Sequence, residues 1–426
     1  MQAAAEAVAV EAFSFASVLR AGDRVMAGTC TAEPTTLLRH LLAEARAGAL
    51  PPFRLFLGPA FSDVLDDGVP ESVTVESYGA LGATAKLMRA GRLDIYPLHL
   101  SGLDDAIRTG ALPVDVVLLP LRPSAKGPGW NLGLARDYTY VAAQRARTLV
   151  AELQPNQPLT HGADVTDLAP AALIRAEQGP VELHTPAPDE TARHIAGRVA
   201  ALAPNGAVLQ TGVGTIPAAV YAALHGHRDL GFHSGAMQDG AIDLIERGII
   251  TNARKDIDRG VSVTGVLLGS RRLFDFADGN PAIRMAGHEE THGLHAIARL
   301  SDFFAVNAAL EVDLTGQVGA EVVAGRYLGA IGGQVDFVRG AMASPGGRSV
   351  IALPSITAKG GSRIVLQVGL TTCSRADADT FVTEHGVAEL RGQPVSERVR
   401  RMIAIAAPEH REALARAWHD SGRSAA

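Results

Sequence analysis

Two histidine-bearing stretches hold the residue types from which catalysis is built. The first is His288-Glu289-Glu290-Thr291-His292. Two histidines one helical turn apart can bind zinc while the glutamate between them activates a water. That chemistry needs an unbroken helix, and here Gly287 precedes the pattern, Gly293 follows it, and apolar periodicity resumes only near Leu294. The pattern therefore reads as an exposed polar loop without a metal. The second stretch is the glycine-flanked run Gly231-Phe232-His233-Ser234-Gly235-Ala236-Met237-Gln238-Asp239-Gly240. His233, with Asp239 close by, could act as a general base or orient a reacting group; a satisfied loop or core histidine is the plainer reading.

The element best suited to hold a reacting group beside such a base is 206–225. It reads as a short buried strand over 207–210, a turn with Gly212 and Gly214, and a helix opened by Thr215 and Pro217. Thr can cap free N–H groups, and Pro is tolerated where no partner carbonyl waits for its nitrogen. A strand, a glycine turn and a helix start together offer N–H donors and a positive dipole end to an anion, although close strand–helix packing needs the same glycines. Gly332-Gly333 before Gln334 could bring backbone near a ligand, or form a tight turn.

A chain of 426 residues exceeds one ordinary core, so two or three domains are expected. With 47% hydrophobic and 20% charged residues it reads as a soluble globular protein. A net charge of −6, with no Lys/Arg run, offers nucleic acid no basic surface. Cys30 and Cys373 make no disulfide framework or metal spacing, which fits a reducing compartment. The stretch 1–15 is alanine-rich, carries Glu6 and Glu11, and lacks the basic start of a secretory signal. No apolar run reaches the roughly 18 residues of a membrane span. The expected location is cytoplasmic.

The positioning elements alternate between strand and helix. Residues 22–29, Glu33-Pro34 and an apolar helix over 37–47 echo 206–225 as glycine, strand, glycine turn, proline and helix, which suggests two similar α/β halves. In the first half, 53–57, 73–76, 93–98 and 114–121 read as strands, 83–90 and 103–109 as helices, and 135–151 partly as helix. The polar segment 154–188 reads as a linker and 189–202 as the helix leading into the central strand. Later, 261–269, 304–314, 349–354 and 363–368 are strand candidates, and 396–417 is an Arg-rich amphipathic helix pair suited to packing.

Taken together, Glu33-Pro34, 212–217, 251–255, 311–317, 332–340 and 383–392 resemble the acetyl-CoA hydrolase/transferase family. This family lies within the class I CoA-transferases that include 4-hydroxybutyrate and itaconate CoA-transferases. The resemblance runs from about Gly22 to Leu414. It implies two similar open α/β domains, 1–188 and 189–426, with the active site at their interface, and it favours a homo-oligomer. It also implies a ping-pong transfer: a glutamate carboxylate attacks an acyl-CoA, and an enzyme–CoA thioester follows. Coenzyme A is then a substrate, with no permanently bound cofactor. Gly212, Gly214 and Ile216 resemble the CoA and oxyanion contact, and Gly332, Gly333, Gly386 and Val387 the other backbone lining the thioester.

One departure outweighs the rest. The family nucleophile lies in a segment like His-Thr-Glu-Met, and the matching run here places Gly235 where the glutamate belongs. The first-half loop 124–133 also lacks the Asp and His usual there and gains Lys126 and Trp130. A cradle without its nucleophile points to an acyltransferase in which a small acceptor attacks the thioester directly, with His233 as base and the 212–217 turn as oxyanion donor. The alternatives are a CoA-transferase recruiting Glu289 or Glu290, an acyl-CoA hydrolase, and a non-catalytic acyl-CoA-binding protein.

Overall fold

The computed structural model describes residues 6–422, so the first five residues of the 1–15 stretch lie outside the described residues. The chain divides into two compact units. One comprises Met1–His184 with Val263–Glu289, the other Thr185–Ser262 with Glu290–Ala426. Each is α/β and built on a largely parallel sheet. No helix among the described residues is long and apolar enough to cross a membrane.

In the first unit, strands Leu93–Ile95, Val73–Ser77, Phe53–Phe56, Arg24–Ala27, Val116–Pro123, Thr148–Leu153 and Ala172–Arg175 lie side by side, every adjacent pair parallel. Parallel neighbours need a crossover, and the helix Thr35–Arg46 supplies one, burying Leu37, Leu38, Leu41 and Leu42 as one stripe. Two expectations fail here. The helix expected within 135–151 covers only Tyr138–Arg145, because Ala146 is extended and the β-branched and apolar run after it joins the sheet. The expected linker 154–188 carries the strand Ala172–Arg175, paired with Thr148–Leu153.

In the second unit the order is Gly231–Met237, Val208–Thr211, Phe303–Ala308, Arg348–Ala352, Thr380–Thr383 and Gly386–Glu389. The first five are parallel and the last closes an antiparallel hairpin. The next strand in sequence after Val208–Thr211, Gly231–Met237, lies on one side of it and Phe303–Ala308 on the other, so its carboxyl end is a switch point where the chain winds outward both ways. Arg24–Ala27 holds the same place in the first unit, between Phe53–Phe56 and Val116–Pro123. The tail helices Val395–Ala404 and Pro408–Asp420 bury Val399, Met402 and Leu414 against Val312, Ile351 and Phe381, a packing role.

Further expectations are corrected in these segments. The run 231–240 is no loop: 231–237 is a strand whose Phe232, His233 and Ser234 are buried, followed by the helix Asp239–Glu246. The strand expected over 304–314 stops at Ala308, and Glu311–Asp313 joins a separate small sheet with Val318–Gly319 and Ile364–Val365. The pattern 288–292 is not a loop, and of its five residues only Glu289 is exposed. His288–Thr291 forms one helical turn, and His288 and His292 are each only 4% exposed. Burial is tolerated because the rings are satisfied: His288 Nδ1 lies 2.9 Å from Asp104 Oδ1 and His292 Nδ1 lies 2.9 Å from Thr291 Oγ1.

Candidate active site

The site is assembled along the carboxyl edge of the second unit's sheet. At the end of Val208–Thr211 the chain turns through Gly212, Val213 and Gly214 into the helix Thr215–Ala223. Gly214, at φ 125°, takes the cap position with no side chain capping the helix, so Thr215 is the first helical residue rather than the cap expected of it. Ile216 is buried and Pro217 falls in the first turn. The first helical N–H groups therefore remain available to an anion.

Side chains from neighbouring strands fix this turn. Gln238 Nε2 donates to the Gly212 carbonyl at 2.8 Å, and a planar trans peptide then directs the Val213 N–H the opposite way. Gln210 and Asn307 exchange hydrogen bonds at 3.3 and 3.0 Å across adjacent strands. Thr211 Oγ1 lies 2.6 Å from the Tyr221 hydroxyl, tying strand to helix, and burial pushes the Tyr221 phenol far above its ordinary value. Gln334 Nε2 donates to the Ala308 carbonyl at 2.6 Å, which brings the Gly332-Gly333 turn to the end of Phe303–Ala308. The Oε1 atoms of Gln238 and Gln334 are buried and have no hydrogen-bond partner among the described residues, so both can accept from a ligand donor.

Gly235 and Gly333 converge on one side chain. A Cβ at 235 would fall 2.6 Å from Cε1 and 2.7 Å from Nε2 of His292. A Cβ at 333 would fall 2.5 Å from Cδ2 and 2.6 Å from Nε2 of the same ring. The imidazole thus lies between the two glycines, with the Phe337 ring 4.6 Å away, centroid to centroid. Phe337 stacks on Phe303 at 6.4 Å, and Phe303 meets His233 edge-on at 6.2 Å.

The remaining sequence candidates are spread more widely. His233 is 1% exposed, and its Nε2 lies 3.0 Å from the Glu290 carbonyl oxygen. Glu290 is half-buried, whereas Glu289 is exposed, belongs to the first unit and folds its carboxylate back beside Gly287. Gly386 and Val387 open the strand at the hairpin edge, where Gly386 pairs with Thr383. Sequence reasoning weighed His292 only as a zinc ligand. The one signal that could have found it was a glycine at 235, a strand position with no evident use for one.

Residues 269–418 match the family model of the acetyl-CoA hydrolase/transferase C-terminal domain. A 4-hydroxybutyrate coenzyme A transferase of Clostridium kluyveri is 35% identical over 338 residues, 78% of this chain and 79% of that protein. A succinyl-CoA:acetate/propanoyl-CoA:succinate CoA transferase of Fasciola hepatica is 33% identical over 422 residues, 96% of this chain and 87% of that protein. Among solved structures, RipA from Yersinia pestis superposes with a TM-score of 0.90 at 30% identity over 96% of each chain. The 4-hydroxybutyrate CoA-transferase from Porphyromonas gingivalis gives 0.79 at 28% identity over 97% of each.

Proposed function

We propose that this chain, which belongs to the acetyl-CoA hydrolase/transferase family, transfers an acyl group from an acyl-CoA directly to a small amine or hydroxyl acceptor, with no glutamyl intermediate. Dependence on an acyl-CoA follows from family membership, since its relatives are named CoA transferases. Direct transfer rests on one observation. Position 235 offers no carboxylate, and the His292 ring 2.6 Å from where a Cβ would stand leaves no room for one.

In this reading the thioester carbonyl lies over the start of the helix Thr215–Ala223. The N–H groups after Gly212, aimed by Gln238, receive the charge that develops on the carbonyl oxygen. One such donor is worth about a hundredfold to a thousandfold in kcat. Gly214, Ile216, Gly332, Gly333, Gly386 and Val387 supply the backbone that lines the thioester. His233, whose Nε2 lies 3.0 Å from the Glu290 carbonyl oxygen, holds the segment carrying His292. The tetrahedral intermediate collapses with cleavage of the C–S bond, and CoA leaves as the thiol.

The names of the relatives favour a second reading, transfer of CoA between carboxylates, which requires Glu289 or Glu290 in place of the missing nucleophile. Hydroxylamine or borohydride trapping with acetyl-CoA, followed by mass spectrometry, separates the two. Direct transfer leaves every glutamate unmodified while CoA is released. An adduct on Glu289 or Glu290 overturns it. A screen of amines, alcohols and carboxylates then identifies the acceptor, products lacking CoA being expected from the first two classes only.

A further inference from the structure

We propose that Arg363 and Lys359, carried on one hairpin beside the 212–217 cradle, hold a phosphate group of coenzyme A. The inference rests on this chain's use of an acyl-CoA and assigns the place of the nucleotide end.

The hairpin follows the strand Arg348–Ala352. Ile356 and Ser362 form an antiparallel bridge, the Arg363 N–H donates to the Ser355 carbonyl at 2.8 Å, and the Thr357 N–H donates to the Gly361 carbonyl at 2.7 Å. Gly361 N–H also donates to Thr357 Oγ1 at 3.1 Å, and Gly360, at φ 81°, turns the exposed tip 358–360. The Gly360 carbonyl lies 2.8 Å from His410 Nε2 on the helix Pro408–Asp420, which ties the tip down.

The sheet fixes where this hairpin stands. Val208–Thr211 and Arg348–Ala352 flank Phe303–Ala308, all three parallel. The hairpin therefore leaves the same carboxyl edge as the cradle, two strand spacings or about 10 Å to the side. The pantetheine arm separates the thioester of an acyl-CoA from its phosphates, so a phosphate site must stand off from the cradle in this way.

Both charged residues of 355–363 are cations, and neither is neutralised. Arg363 is half-buried; its Nε donates to the Ile356 carbonyl at 3.2 Å and its Nη1 to the Leu310 carbonyl at 2.9 Å. Among the described residues no carboxylate pairs with it. Glu384 accepts from the Ser355 N–H and Oγ, and Glu311 from the Gly369 N–H. Other part-buried arginines do find a carboxylate, as Arg24 does in Glu76 and Arg147 in Asp23. Burial lowers the Arg363 guanidinium from its ordinary value, with no acid to raise it. Its Nη2 has no protein acceptor and keeps access to solvent. Lys359 is exposed at the tip and makes no ion pair among the described residues.

A partly desolvated cation without a counter-charge is costly, and an anion that supplies the charge recovers that cost. The pair suits phosphate: the guanidinium edge matches phosphate oxygens in a plane, and the ammonium adds a point charge.

The test reads binding to the full chain by isothermal titration calorimetry, without turnover, using CoA, dephospho-CoA and pantetheine as probes. Arg363→Gln is expected to weaken CoA binding by about tenfold or more and Lys359→Gln by about threefold, with pantetheine affinity unchanged in both. Arg363→Lys should keep part of the lost affinity, and each neutral variant should show a shallower dependence on salt. If the 3′-phosphate is held, dephospho-CoA binds the variants and the unmodified chain alike; if the diphosphate is held, the variants weaken dephospho-CoA as much as CoA. An Arg363→Gln chain that binds CoA within about twofold of the unmodified one, or loses pantetheine to the same extent, overturns the proposal. Should Arg363→Gln not fold, Lys359→Gln at the exposed tip decides alone, and unchanged CoA affinity overturns the assignment. No acceptor is present in this assay, so its failure leaves direct transfer standing, whereas a trapped glutamyl adduct removes direct transfer and leaves the phosphate site in place.

Discussion

Replacing Gly235 with alanine sets two effects of opposite sign against each other. In an extended strand, Gly→Ala at a compatible backbone stabilises by about 0.4–1 kcal/mol, because the unfolded chain loses freedom. Here the new methyl would meet His292 Cε1 at 2.6 Å and Nε2 at 2.7 Å, well inside van der Waals contact. The ring has little room to retreat, since Gly333 stands on another edge and Phe337 lies 4.6 Å away. Overpacking of this kind costs about 1–3 kcal/mol, so the net expectation for Gly235→Ala is a loss of about 1–2 kcal/mol. Urea denaturation followed by circular dichroism measures it, with His292→Ala and the double variant completing a cycle. With the ring removed, the methyl at 235 finds space and the strand effect alone remains. The coupling should therefore be favourable by about 1–3 kcal/mol. A Gly235→Ala protein as stable as the unmodified one, or a cycle additive within about 0.5 kcal/mol, refutes the packing argument. The same geometry predicts that Gly235→Glu alone restores no trappable glutamyl thioester, while Gly235→Glu combined with His292→Gly admits the carboxylate.

Three further predictions follow from local contacts. Burial pushes the Glu152 carboxyl up to about 7 from an ordinary 4.5, so the folded chain holds a proton that the unfolded chain has lost across that window. Stability therefore falls by up to about 3 kcal/mol as pH rises from 4.5 to 7, and Glu152→Gln should flatten that slope in denaturation curves; an unchanged slope refutes the assignment. Asp189 accepts from the Ala192 N–H at 2.7 Å and caps the helix Glu190–Leu202, so Asp189→Ala should cost about 1 kcal/mol and Asp189→Asn much less, by the same assay. Gln238→Leu removes the side-chain donor to the half-buried Gly212 carbonyl. It should lower kcat/KM for acetyl-CoA by about tenfold with little change in the far-ultraviolet circular dichroism, and equal kcat/KM would dismiss Gln238 as the anchor of the turn.

How far the sequence could be read depended on whether its signals were local. The central strand, glycine turn and helix were legible because buried apolar residues, two glycines and Pro217 all fall within about three turns of chain. The strand Thr148–Leu153 was hidden because a helical pattern runs straight into it, with only the extended Ala146 between them. Gly231–Met237 was hidden for a different reason. Glycine, serine and alanine obscure its alternation, and its place in the sheet comes from pairing with Val208–Thr211, not from propensity. The 288–292 pattern looked solvated because five polar residues lie in a row. The burial of His288 and His292 depends on Asp104, far back in the chain, and on hydrogen bonds that no spacing rule reports.

The missing glutamate was the clearest message of the sequence, yet alone it described only a loss. The structure turns that loss into an exchange. Leaving 235 without a β-carbon is what lets an imidazole approach the strand, and a side chain at 235 and the ring of His292 cannot both occupy the space. Glycine at 333 is required by the same ring, although nothing in its own backbone asks for it. Positions 235, 292 and 333 therefore act as a unit: restoring a side chain at either glycine means moving the histidine. A carboxylate in that space would attack a thioester and carry the acyl group covalently, whereas without one the attacking atom must come from the acceptor. On this argument the cradle of 212–217 keeps its task, charge stabilisation on the thioester oxygen, while the identity of the attacking atom passes from the protein to the acceptor.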